Sequence, residues 1–268
     1  MNLPDKPIAV GRTAEVFAWG DGRVVKLIRP DFPQSLADQE WTYASTAWSL
    51  GISVPRPFEL IEVDGRRGVV FERIDAPSMA YLMAKYPQRV TQYGRLLAQV
   101  QARLHTLHVP NFPSLVDRSW HSIIQSRLFS PNLKDRLLNS LLFLPNDDRL
   151  CHGDIHPDNI LITDHGPVLI DWEGCMRGPA MADVANSRVI LTTSTVALTG
   201  LKGRVVHWLI RAFDRAYLIE YQRLAKELAL PAPIDSLPAW MNIQTAARLD
   251  EAASEVPPLV LPSIERGW

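Results

Sequence analysis

The stretch that decides the fold is LCHGDIHPDNILITDHGPVLIDWE, residues Leu150–Glu173. Its second half contains two short apolar runs, ILI and VLI, separated by the turn sequence Asp-His-Gly, and this pattern predicts a β-hairpin. Asn159 precedes the first predicted strand, and Asp171 follows the second one. Because the two open ends of a hairpin lie side by side, the sequence predicts that these two polar residues are neighbours.

The first half of the stretch also allows a zinc site. Four histidines and aspartates alternate there: His152, Asp154, His156 and Asp158. Side chains two residues apart on a flat strand point to the same side, and imidazole and carboxylate groups are zinc ligands. Pro157 argues against an extended strand because it cannot donate a hydrogen bond to a sheet. No second histidine-rich cluster would complete the ligand shell, since we interpret His105 and His108 as surface or core-edge residues.

A second interpretation uses three residues and a different chemistry. Phosphoryl transfer needs a carboxylate that orients the acceptor hydroxyl and takes its proton, and hard oxygen ligands that hold Mg²⁺ against the phosphates. Asp154 precedes Asn159 by five residues in one loop. We therefore predict Asp154 as the catalytic carboxylate, with Asn159 and Asp171 as the Mg²⁺ ligands.

The motif HGDIHPDN followed by LIDWE resembles the catalytic loop and metal-binding segment of the aminoglycoside phosphotransferase and choline kinase-like family, within the protein-kinase-like fold. The resemblance runs over nearly the whole chain and is strongest in residues 150–186. It implies an α+β, bilobal fold: a small N-terminal lobe of antiparallel β-sheet with one helix, and a larger, mostly helical C-terminal lobe. We expect residues 1–74 to form the nucleotide-binding lobe and residues 75–268 to carry the catalytic loop and the acceptor-substrate site.

Local patterns agree with these two lobes. The first seventy residues alternate β-branched and polar residues around two hairpin signals, GDG and DG. Between them, Ser35 and Asp38 predict a capping-box-like start of a helix that ends near Leu50. Three residues are spaced for the buried face of this helix: Trp41, Ala44 and Trp48.

The rest of the chain is predicted to be mostly helical. An apolar stripe at three- and four-residue steps predicts a core-facing helix within residues 88–108. Three further helices are predicted at about residues 181–198, 202–227 and 237–255. Helices of this number and length suit the larger lobe.

The resemblance implies a lysine that grips the nucleotide phosphates and a carboxylate that holds the lysine. Lys26, in the apolar strand VVKLIRP, and Glu40, on the following helix, match these positions. Asp38 and Glu15 are rival carboxylates nearby in sequence. An edge-strand surface position is the alternative for Lys26 taken alone.

Two further segments are expected to contact the nucleotide. Gly11, Arg12 and Thr13 would cover the phosphates with backbone amides and a hydroxyl, although an ordinary hairpin turn is the alternative. The connector would offer backbone groups of Glu72 to Ile74 to the purine edge. No GxxxxGK[ST] sequence occurs, so a P-loop is excluded at the level of motifs.

Other residues have supporting roles by resemblance. His152 braces the loop or is purely structural, His156 orients the loop or approaches phosphate, and Asp158 faces solvent or caps the turn. Asp183 matches an aspartate that ties down the catalytic loop, with a plain helix N-terminal acid as the alternative. Two features depart from the family pattern. Glu173 stands where the family often has a small residue, and GPAMAD stands in place of the more usual GDPAYD. Glu173 is therefore a further metal or substrate ligand, or simply exposed.

These residues together predict an enzyme that transfers the γ-phosphoryl group of ATP to a hydroxyl of a small molecule with Mg²⁺ as cofactor; GTP is not excluded. The intact Asp154, Asn159 and Asp171 argue against the alternative from another class, a nucleotide-binding pseudoenzyme or regulatory module on the same fold. The acceptor is left open as aminoglycoside-like, an amino alcohol or a sugar.

Two classes of acceptor would require different residues in the binding site. A polycationic acceptor would need a carboxylate-lined cleft, and a quaternary amine would need an aromatic cage. Candidate carboxylates lie in the C-terminal part: Asp214, Glu220, Asp250, Glu251, Glu255 and Glu265. Candidate aromatic residues are Trp172, Trp208, Tyr217 and Trp240. Charged helix faces are usually solvated and aromatic stripes usually belong to the core, so neither set decides the acceptor.

Composition limits the partners. The formal net charge of the 268 residues is −1, so no basic field predicts binding to nucleic acid or to an anionic membrane. The apolar runs are too short for a membrane span, and no signal-peptide pattern begins the sequence. Two cysteines provide no disulfide framework. We expect a cytoplasmic monomer with two free, buried thiols and with a nucleoside triphosphate and a hydroxylated acceptor as its partners.

Overall fold

The computed structural model describes residues 4, 6–20, 22–193 and 200–251. The chain divides into two compact units. The first unit comprises Met1–Met79 together with Asp158–Gly174, and the second comprises Ala80–Pro157 together with Cys175–Trp268. The predicted α+β class is confirmed, because the N-terminal part contains an antiparallel sheet and the C-terminal part is mainly helical.

The first unit is built on a five-stranded antiparallel sheet with the strand order β1-β2-β3-β5-β4. Its strands are β1 (Ala9–Val10), β2 (Ala14–Ala18), β3 (Arg23–Ile28), β4 (Pro57–Val63) and β5 (Arg66–Glu72). Both predicted hairpins are present, joining β2 to β3 and β4 to β5. Asp64 and Gly65 have φ angles of 52° and 75° in the second turn, which suits the left-handed preference of an Asp-Gly pair. The alternating side chains of β2, β3 and β5 bury Phe17, Val25 and Val70 on one face.

Helix α1 (Leu36–Ser49) lies between the two hairpins and ends where predicted. Its predicted start is wrong in detail, because the Ser35 side chain makes no capping hydrogen bond and Asp38 instead pairs with Arg67. Its predicted buried face is also partly wrong, since Trp48 is 45% exposed. The residues that α1 buries are Ala37, Glu40, Tyr43, Ala44 and Ala47. The helix therefore turns one carboxylate toward the interior of the first unit.

A separate hairpin completes the first unit. Strands β7 (Ile160–Thr163) and β8 (Gly166–Leu169) pair antiparallel, as the sequence predicts. A bridge joins Ser78 to Leu161, and the Leu169 N–H donates to the Ser53 carbonyl at 2.9 Å. The hairpin is thus anchored within the first unit although it lies about eighty residues downstream of that unit's other segment.

The second unit consists of helices and one short strand pair. The helices are α2 (Met79–Lys85), which begins at the boundary, α3 (Val90–Leu104), α4 (Leu115–Gln125), α5 (Pro131–Phe143), α6 (Ala180–Thr193), α7 (Gly200–Glu227) and α8 (Leu237–Glu251). Strands β6 (Arg149–Cys151) and β9 (Met176–Gly178) pair antiparallel. The four predicted helices are confirmed, although the predicted ends at residues 194–198 and 252–255 lie outside the described residues.

Packing of α3 against α7 depends on a glycine. A Cβ added to Gly94 would lie 2.5 Å from the Phe213 carbonyl oxygen, so the missing side chain lets the two backbones approach closely. Val90, Leu97 and Leu104 are buried along the predicted stripe of α3. None of the described helices combines the length and the apolar composition that a transmembrane segment needs.

Candidate functional site

Lys26 lies at the centre of a polar group in the first unit. Its position in the middle of β3, opposite Val16 and Val69, fixes its side chain on one face of the sheet. The Lys26 ammonium lies 2.8 Å from a Glu40 carboxylate oxygen and 2.6 Å from Asp171 Oδ1. One cation therefore holds two carboxylates from separate elements.

Burial shapes the protonation of this group. Burial alone would lower the pKa of Lys26, but the charges of Glu40, Asp171 and Glu173 outweigh it and raise that pKa above its ordinary value. Burial raises the pKa of Glu40 to about 7, an effect that the Lys26 ammonium opposes and Asp171 reinforces. Lys26 is therefore a permanent cation at neutral pH, as a group that binds phosphate must be.

The two rival carboxylates for Lys26 have other partners. Asp38 contacts Arg67 at 2.5 Å, and Glu15 contacts the Arg66 guanidinium at 2.8 Å. Glu40 is only 2% exposed and faces the interior, where Lys26 reaches it. The structure therefore places Glu40, not its neighbours in sequence, against the strand lysine.

The hairpin β7–β8 brings Asn159 and Asp171 together at its open end. The Ile170 N–H donates to the Asn159 carbonyl at 3.0 Å, which extends the pairing by one residue beyond the strands. Asp171 has a φ of 69°, a backbone conformation that is uncommon for residues other than glycine. Such strained positions are often found at functional sites.

Glu173 is connected to the turn between β1 and β2. Thr13 Oγ1 donates to the two Glu173 carboxylate oxygens, each at 3.0 Å. The Gly11 N–H donates to the Ala14 carbonyl at 2.8 Å, which closes the turn that contains Arg12 and Thr13. Burial raises the pKa of Glu173, although Lys26 opposes the shift. Glu173 therefore belongs to the polar group of the first unit.

The end of β5 was predicted to supply backbone groups to a nucleotide base. The Glu72 N–H donates to the Arg56 carbonyl and the Arg73 N–H to the Gly22 carbonyl, each at 2.9 Å. These two amides are thus engaged within the first unit, and Ile74 follows them at a half-buried position. Any backbone recognition here would have to use the carbonyl groups or later amides.

The donor set of the first unit fits Mg²⁺. Carboxylate oxygens of Glu40, Asp171 and Glu173 lie within 4.8 Å of one another. Asn159 is buried at the same end of the hairpin as Asp171. Mg²⁺ prefers hard oxygen ligands and needs only one or two carboxylates in addition to phosphate oxygens and water. No histidine or cysteine belongs to this cluster, so its chemistry suits magnesium and not zinc.

Asp154 lies in the second unit, in the loop after β6. His156 Nε2 lies 3.5 Å from Asp154 Oδ2, and Arg248 Nη1 lies 3.2 Å from Asp154 Oδ1. Burial would raise the pKa of Asp154, but His156 and Arg248 outweigh it and hold the pKa well below its ordinary value. The carboxylate is therefore ionised at neutral pH and able to accept a proton from a positioned hydroxyl.

The Asp154 loop is fixed from helix α6. The Gly153 N–H donates to Asp183 Oδ1 at 2.9 Å, and the Asn186 side-chain amide donates to the Gly153 carbonyl. Asp183 and Asn186 are three residues apart on α6, so both face the loop. The two bonds hold the residue next to Asp154 at its N–H and its carbonyl.

A buried network holds Asp183 in turn. Asp183 Oδ2 accepts from Gln101 Nε2 at 2.8 Å and contacts His105 Nε2 at 3.2 Å. His105 Nδ1 contacts the Tyr221 hydroxyl, and the Tyr217 hydroxyl donates to Gln101. The hydrogen bond of His105 helps to keep the pKa of Asp183 below its ordinary value despite burial. The interpretation of His105 as a surface or core-edge residue is wrong, because its side chain is fully buried.

The alternating histidines and aspartates do not form a ligand set. His152 is buried, and its Nδ1 accepts from the Asp154 N–H at 3.3 Å, which curls the loop instead of extending it. Asp158 is exposed. Among the described residues, the groups of three or more close-lying His, Cys, Asp or Glu side chains contain neither His152 nor His156.

Three residues that contact the loop or its supporting aspartate are absent from the sequence-based prediction: Gln101, Asn186 and Arg248. The spacing of Asn186 three residues after Asp183 is a signal that could have been used. The local sequence does not mark Gln101 or Arg248. Gln101 reaches Asp183, and Arg248 reaches Asp154, because helices that are distant in sequence pack together. Arg248 is the main addition, since it contacts the predicted catalytic carboxylate directly.

Most of the residues considered for binding a cationic acceptor are already engaged. Asp214 forms two bonds of 2.7 Å with Arg188, and Glu220 pairs with Arg223. The aromatic residues Trp172, Tyr217 and Trp240 are fully buried in the core. Glu255 and Glu265 lie outside the described residues, as do the side chains of Asp250 and Glu251.

The chain is similar to known phosphotransferases in sequence pattern and in fold. A family model described as the phosphotransferase enzyme family matches residues 5–226. A comparison with curated protein sequences found no match. The matched range includes Lys26, Asp154, Asp171 and Asp183 and ends before Arg248 on α8.

Solved structures resemble the chain over nearly its whole length. An aminoglycoside-3'-phosphotransferase of type VIII is 18% identical with a TM-score of 0.62, covering 91% of this chain and 92% of that one. Aminoglycoside phosphotransferase APH(3'')-Id from Streptomyces rimosus, in complex with ADP and streptomycin, is 15% identical with a TM-score of 0.59, covering 90% and 92%. A choline/ethanolamine kinase family protein from Mesorhizobium loti is 17% identical with a TM-score of 0.52, covering 98% and 93%. At these identities the likeness establishes the shared fold.

Proposed function

The chain belongs to the phosphotransferase enzyme family, and from this premise we propose that it transfers the γ-phosphoryl group of ATP to a hydroxyl of a small molecule. The observation that carries the proposal is the buried Lys26 ammonium held between Glu40 and Asp171. A cation fixed beside a carboxylate cluster suits a nucleotide whose phosphates arrive with a divalent metal. The complex of a related fold with ADP and streptomycin supports the pairing of a nucleotide with a small acceptor.

Residues of the first unit would bind the nucleotide. Lys26 would contact the phosphates, with Glu40 fixing the lysine side chain. Asn159 and Asp171 would hold Mg²⁺, and Glu173 is a third oxygen donor in the same cluster. When bound, Mg²⁺ neutralises charge on the phosphate oxygens.

The turn at Gly11, Arg12 and Thr13 would cover the phosphates with its backbone amides. The Thr13 hydroxyl is held by Glu173, so the turn and the carboxylate cluster are already joined before a nucleotide binds. Backbone groups between Glu72 and Ile74 would contact the base. We propose the same two lobes as above, residues 1–74 and 75–268, as the nucleotide and acceptor parts of the enzyme.

Asp154 would orient the acceptor hydroxyl and take its proton as the oxygen attacks the γ-phosphorus. Its low pKa makes it a weak base, so orientation of the hydroxyl contributes more than proton abstraction before attack. Asp183 and Asn186 hold the loop at Gly153, and His152 and His156 contact Asp154 directly. Asp154 and Asn159 are five residues apart in the chain, which links the carboxylate to a metal ligand through one short loop.

Substitution of the predicted catalytic carboxylate tests this proposal. We expect Asp154→Asn to lower Mg²⁺-dependent transfer by about 10²–10⁴-fold, because the variant loses the carboxylate that orients the acceptor hydroxyl and takes its proton, and to leave ATP affinity unchanged. Asp158→Asn, an exposed carboxylate of the same loop, is the matched control and should retain activity. The measurement is acceptor-stimulated ADP release across a panel of sugars, amino alcohols, hydroxy acids and aminoglycosides.

The same panel separates the enzyme from a regulatory module. Tight binding of Mg²⁺-ATP with no acceptor-stimulated turnover in any member would favour the nucleotide-binding pseudoenzyme. Equal turnover in wild type and Asp154→Asn would show that another residue carries the chemistry.

A further inference from the structure

A small cavity lies beside Asp154 in the second unit. Gly153 lines it on the loop side, and its remaining walls come mainly from α4, α6 and α8. Its polar side chains are Arg118, Ser119, Asn186, Gln244 and Arg248. Within the part of the chain that the structure describes, none of the lining residues is acidic. Its volume is about 20 Å³, which has room for about one water-sized atom, so a ligand would place a single oxygen of a polar group inside it.

Gln244 gives this cavity an unsatisfied hydrogen-bond donor. The side chain is only 6% exposed, and its Nε2 atom has no hydrogen-bond partner among the described residues. Buried polar groups in folded proteins almost always have a partner, and an exception calls for an explanation. A donor in the wall of a polar cavity is explained by a ligand that accepts a hydrogen bond there.

Two guanidinium groups, those of Arg118 and Arg248, line the cavity. Arg118 is exposed on α4, where its Nη1 contacts the Met176 sulfur at 3.7 Å. Arg248 Nη1 lies between Asp154 Oδ1 at 3.2 Å and Asn186 Oδ1 at 3.3 Å. A guanidinium carries five N–H donors, and these two contacts use only one nitrogen of Arg248. The group can therefore hold Asp154 and bind a second anion at the same time.

The position of the cavity relates it to the reaction. Arg248 lines the cavity and contacts Asp154, and Gly153 is the residue before Asp154. An anion bound to Arg248 would thus lie near Asp154, on the other side of the Arg248 guanidinium. A small acceptor that carries an anionic group and a hydroxyl could bind Arg248 through the anionic group and present the hydroxyl to Asp154.

The same charges disfavour a polycationic acceptor. Two arginines line the cavity, Arg248 partly neutralises Asp154, and like charges brought together reduce affinity. Asp214 and Glu220, two carboxylates that would attract a polycation, are paired with Arg188 on α6 and with Arg223 on α7. The electrostatics near Asp154 therefore favour an anion.

We propose that the phosphoryl acceptor is a hydroxylated small molecule with an anionic group, a carboxylate or a phosphate, which binds Arg118, Gln244 and Arg248. This inference rests on the proposed phosphotransferase function and names the class of its acceptor. The anionic group fixes the acceptor, and Asp154 receives the hydroxyl.

Anion binding can be measured without a nucleotide. The probes are sodium acetate and sodium phosphate, titrated at constant ionic strength by replacing sodium chloride, with the midpoint of thermal unfolding as readout. A ligand that binds the folded state raises this midpoint in a saturable way. We expect such a rise with at least one probe. Arg118→Gln and Gln244→Leu should each weaken it at least tenfold in apparent Kd, whereas Arg136→Gln, an exposed arginine on α5, should leave it unchanged.

Two results would overturn the anion site. One is the absence of a saturable rise with either probe. The other is a rise that persists unchanged in both Arg118→Gln and Gln244→Leu, which would place the bound anion elsewhere, for example at Lys26. The use of two variants on different helices guards against misfolding of either one.

Matched acceptor pairs then identify the source of the anion. Glycerate and glycerol 3-phosphate are each compared with glycerol, and gluconate with glucitol, in the Mg²⁺-ATP assay. We expect an anionic member to exceed its neutral partner at least tenfold in kcat/KM, and Arg118→Gln to remove that preference mainly through KM. Transfer that favours neutral or amine-bearing acceptors would contradict the anionic class and leave the phosphotransferase function intact. Anion binding without transfer to any small molecule would instead contradict the proposed function.

Discussion

At the scale of single residues, Lys26 and Asp154 are set in opposite electrostatic surroundings. Lys26 is a cation among carboxylates, and its pKa is raised. Asp154 is a carboxylate beside a histidine and an arginine, and its pKa is lowered. Both side chains therefore keep their charge at neutral pH. The two residues that would grip the phosphates and receive the acceptor are held in their active charge states by named neighbours.

Removing the Lys26 charge should weaken nucleotide binding. We expect Lys26→Met to raise the Kd of Mg²⁺-ATP by about 10–100-fold, because a hydrogen bond to a charged group contributes about 1.5–3 kcal/mol. Isothermal titration calorimetry measures the Kd. Lys85→Met, a lysine on α2, is the control and should bind ATP like wild type. Unchanged affinity in Lys26→Met would remove this lysine from the nucleotide site.

The lowered pKa of Asp154 predicts a pH-dependent contribution to stability. Because the pKa is lower in the folded than in the unfolded chain, the stabilisation by ionised Asp154 is complete above about pH 5, and it is lost progressively as pH falls through the unfolded pKa of about 3.9 toward the lower folded pKa. The unfolding free energy of wild type relative to Asp154→Asn should therefore decrease between about pH 5 and pH 3, while it stays nearly constant between pH 7 and pH 5. Urea denaturation at several pH values measures it, with Asp158→Asn as the control for loss of one charge. A difference independent of pH would contradict the contacts to His156 and Arg248.

Local sequence motifs predict several residues of the candidate site, whereas residues that reach the site only through tertiary contacts could not be predicted. Asp154, Asn159 and Asp171 follow from the spacing of one loop and one hairpin. Arg248 reaches Asp154, and Gln101 reaches Asp183, because distant helices pack together. Residue spacing within one segment does not predict such contacts. Ser35 shows the converse, since a helix-start pattern was present but its side chain makes no cap.

At the scale of elements, the loop of Asp154 depends on α8, which contacts it through Arg248, and on three further helices. Helix α6 contacts Gly153 through Asp183 and Asn186, and α3 and α7 hold Asp183 through a buried network. A buried carboxylate is tolerated only when its oxygens are fully hydrogen-bonded. The tight packing of α3 against α7 therefore contributes to the position of the loop.

A methyl group at Gly94 should disturb this packing. The added Cβ would lie 2.5 Å from the Phe213 carbonyl oxygen, on a rigid helix backbone. We expect Gly94→Ala to destabilise the protein by about 1–3 kcal/mol through overpacking, despite the higher helix propensity of alanine. Gln92→Ala, an exposed position on the same helix, is the control. Equal or greater stability of Gly94→Ala in urea denaturation would show that the helices separate at little cost.

Element boundaries followed well from periodicity and turn residues. Both sheet hairpins and the β7–β8 hairpin have Gly or Asp-Gly turns that the sequence marks. The buried face of α1 was less predictable, because Trp48 is exposed while Glu40 is buried. Pairing with Lys26 makes the burial of a glutamate acceptable, and that pairing is a property of the fold and not of the helix.

At the scale of the whole molecule, the chain passes three times between its two units, first between Met79 and Ala80. It enters the first unit between Pro157 and Asp158 and returns to the second between Gly174 and Cys175. The segment between these points carries Asn159, Asp171 and Glu173. The residues proposed for Mg²⁺ therefore follow the Asp154 loop directly in the chain. The proposed catalytic and metal-binding residues thus form one short sequence motif. Its compactness is the reason that the family was recognisable from sequence while the acceptor was not.

Nucleotide binding should stabilise the whole protein in a metal-dependent way. We expect ATP to raise the midpoint of thermal unfolding more with Mg²⁺ than with excess EDTA, because binding to the folded state adds RT ln(1 + [L]/Kd) to its stability. Asp171→Asn should remove most of the Mg²⁺-dependent part. Asp164→Asn, at the exposed turn of the same hairpin, is the control. An equal Mg²⁺ effect in Asp171→Asn and wild type would exclude Asp171 as a metal ligand.

The most direct test of the central claim follows the phosphoryl group itself. Wild type and Asp154→Asn are incubated with Mg²⁺, ATP labelled at the γ-phosphate and a protein-free extract of small metabolites, and the labelled products are separated. We predict that wild type moves label into an organic phosphate ester and that Asp154→Asn does not. Label found only in inorganic phosphate, or appearing equally in an ester with both proteins, would contradict the claim that Asp154 directs phosphoryl transfer to a small-molecule hydroxyl.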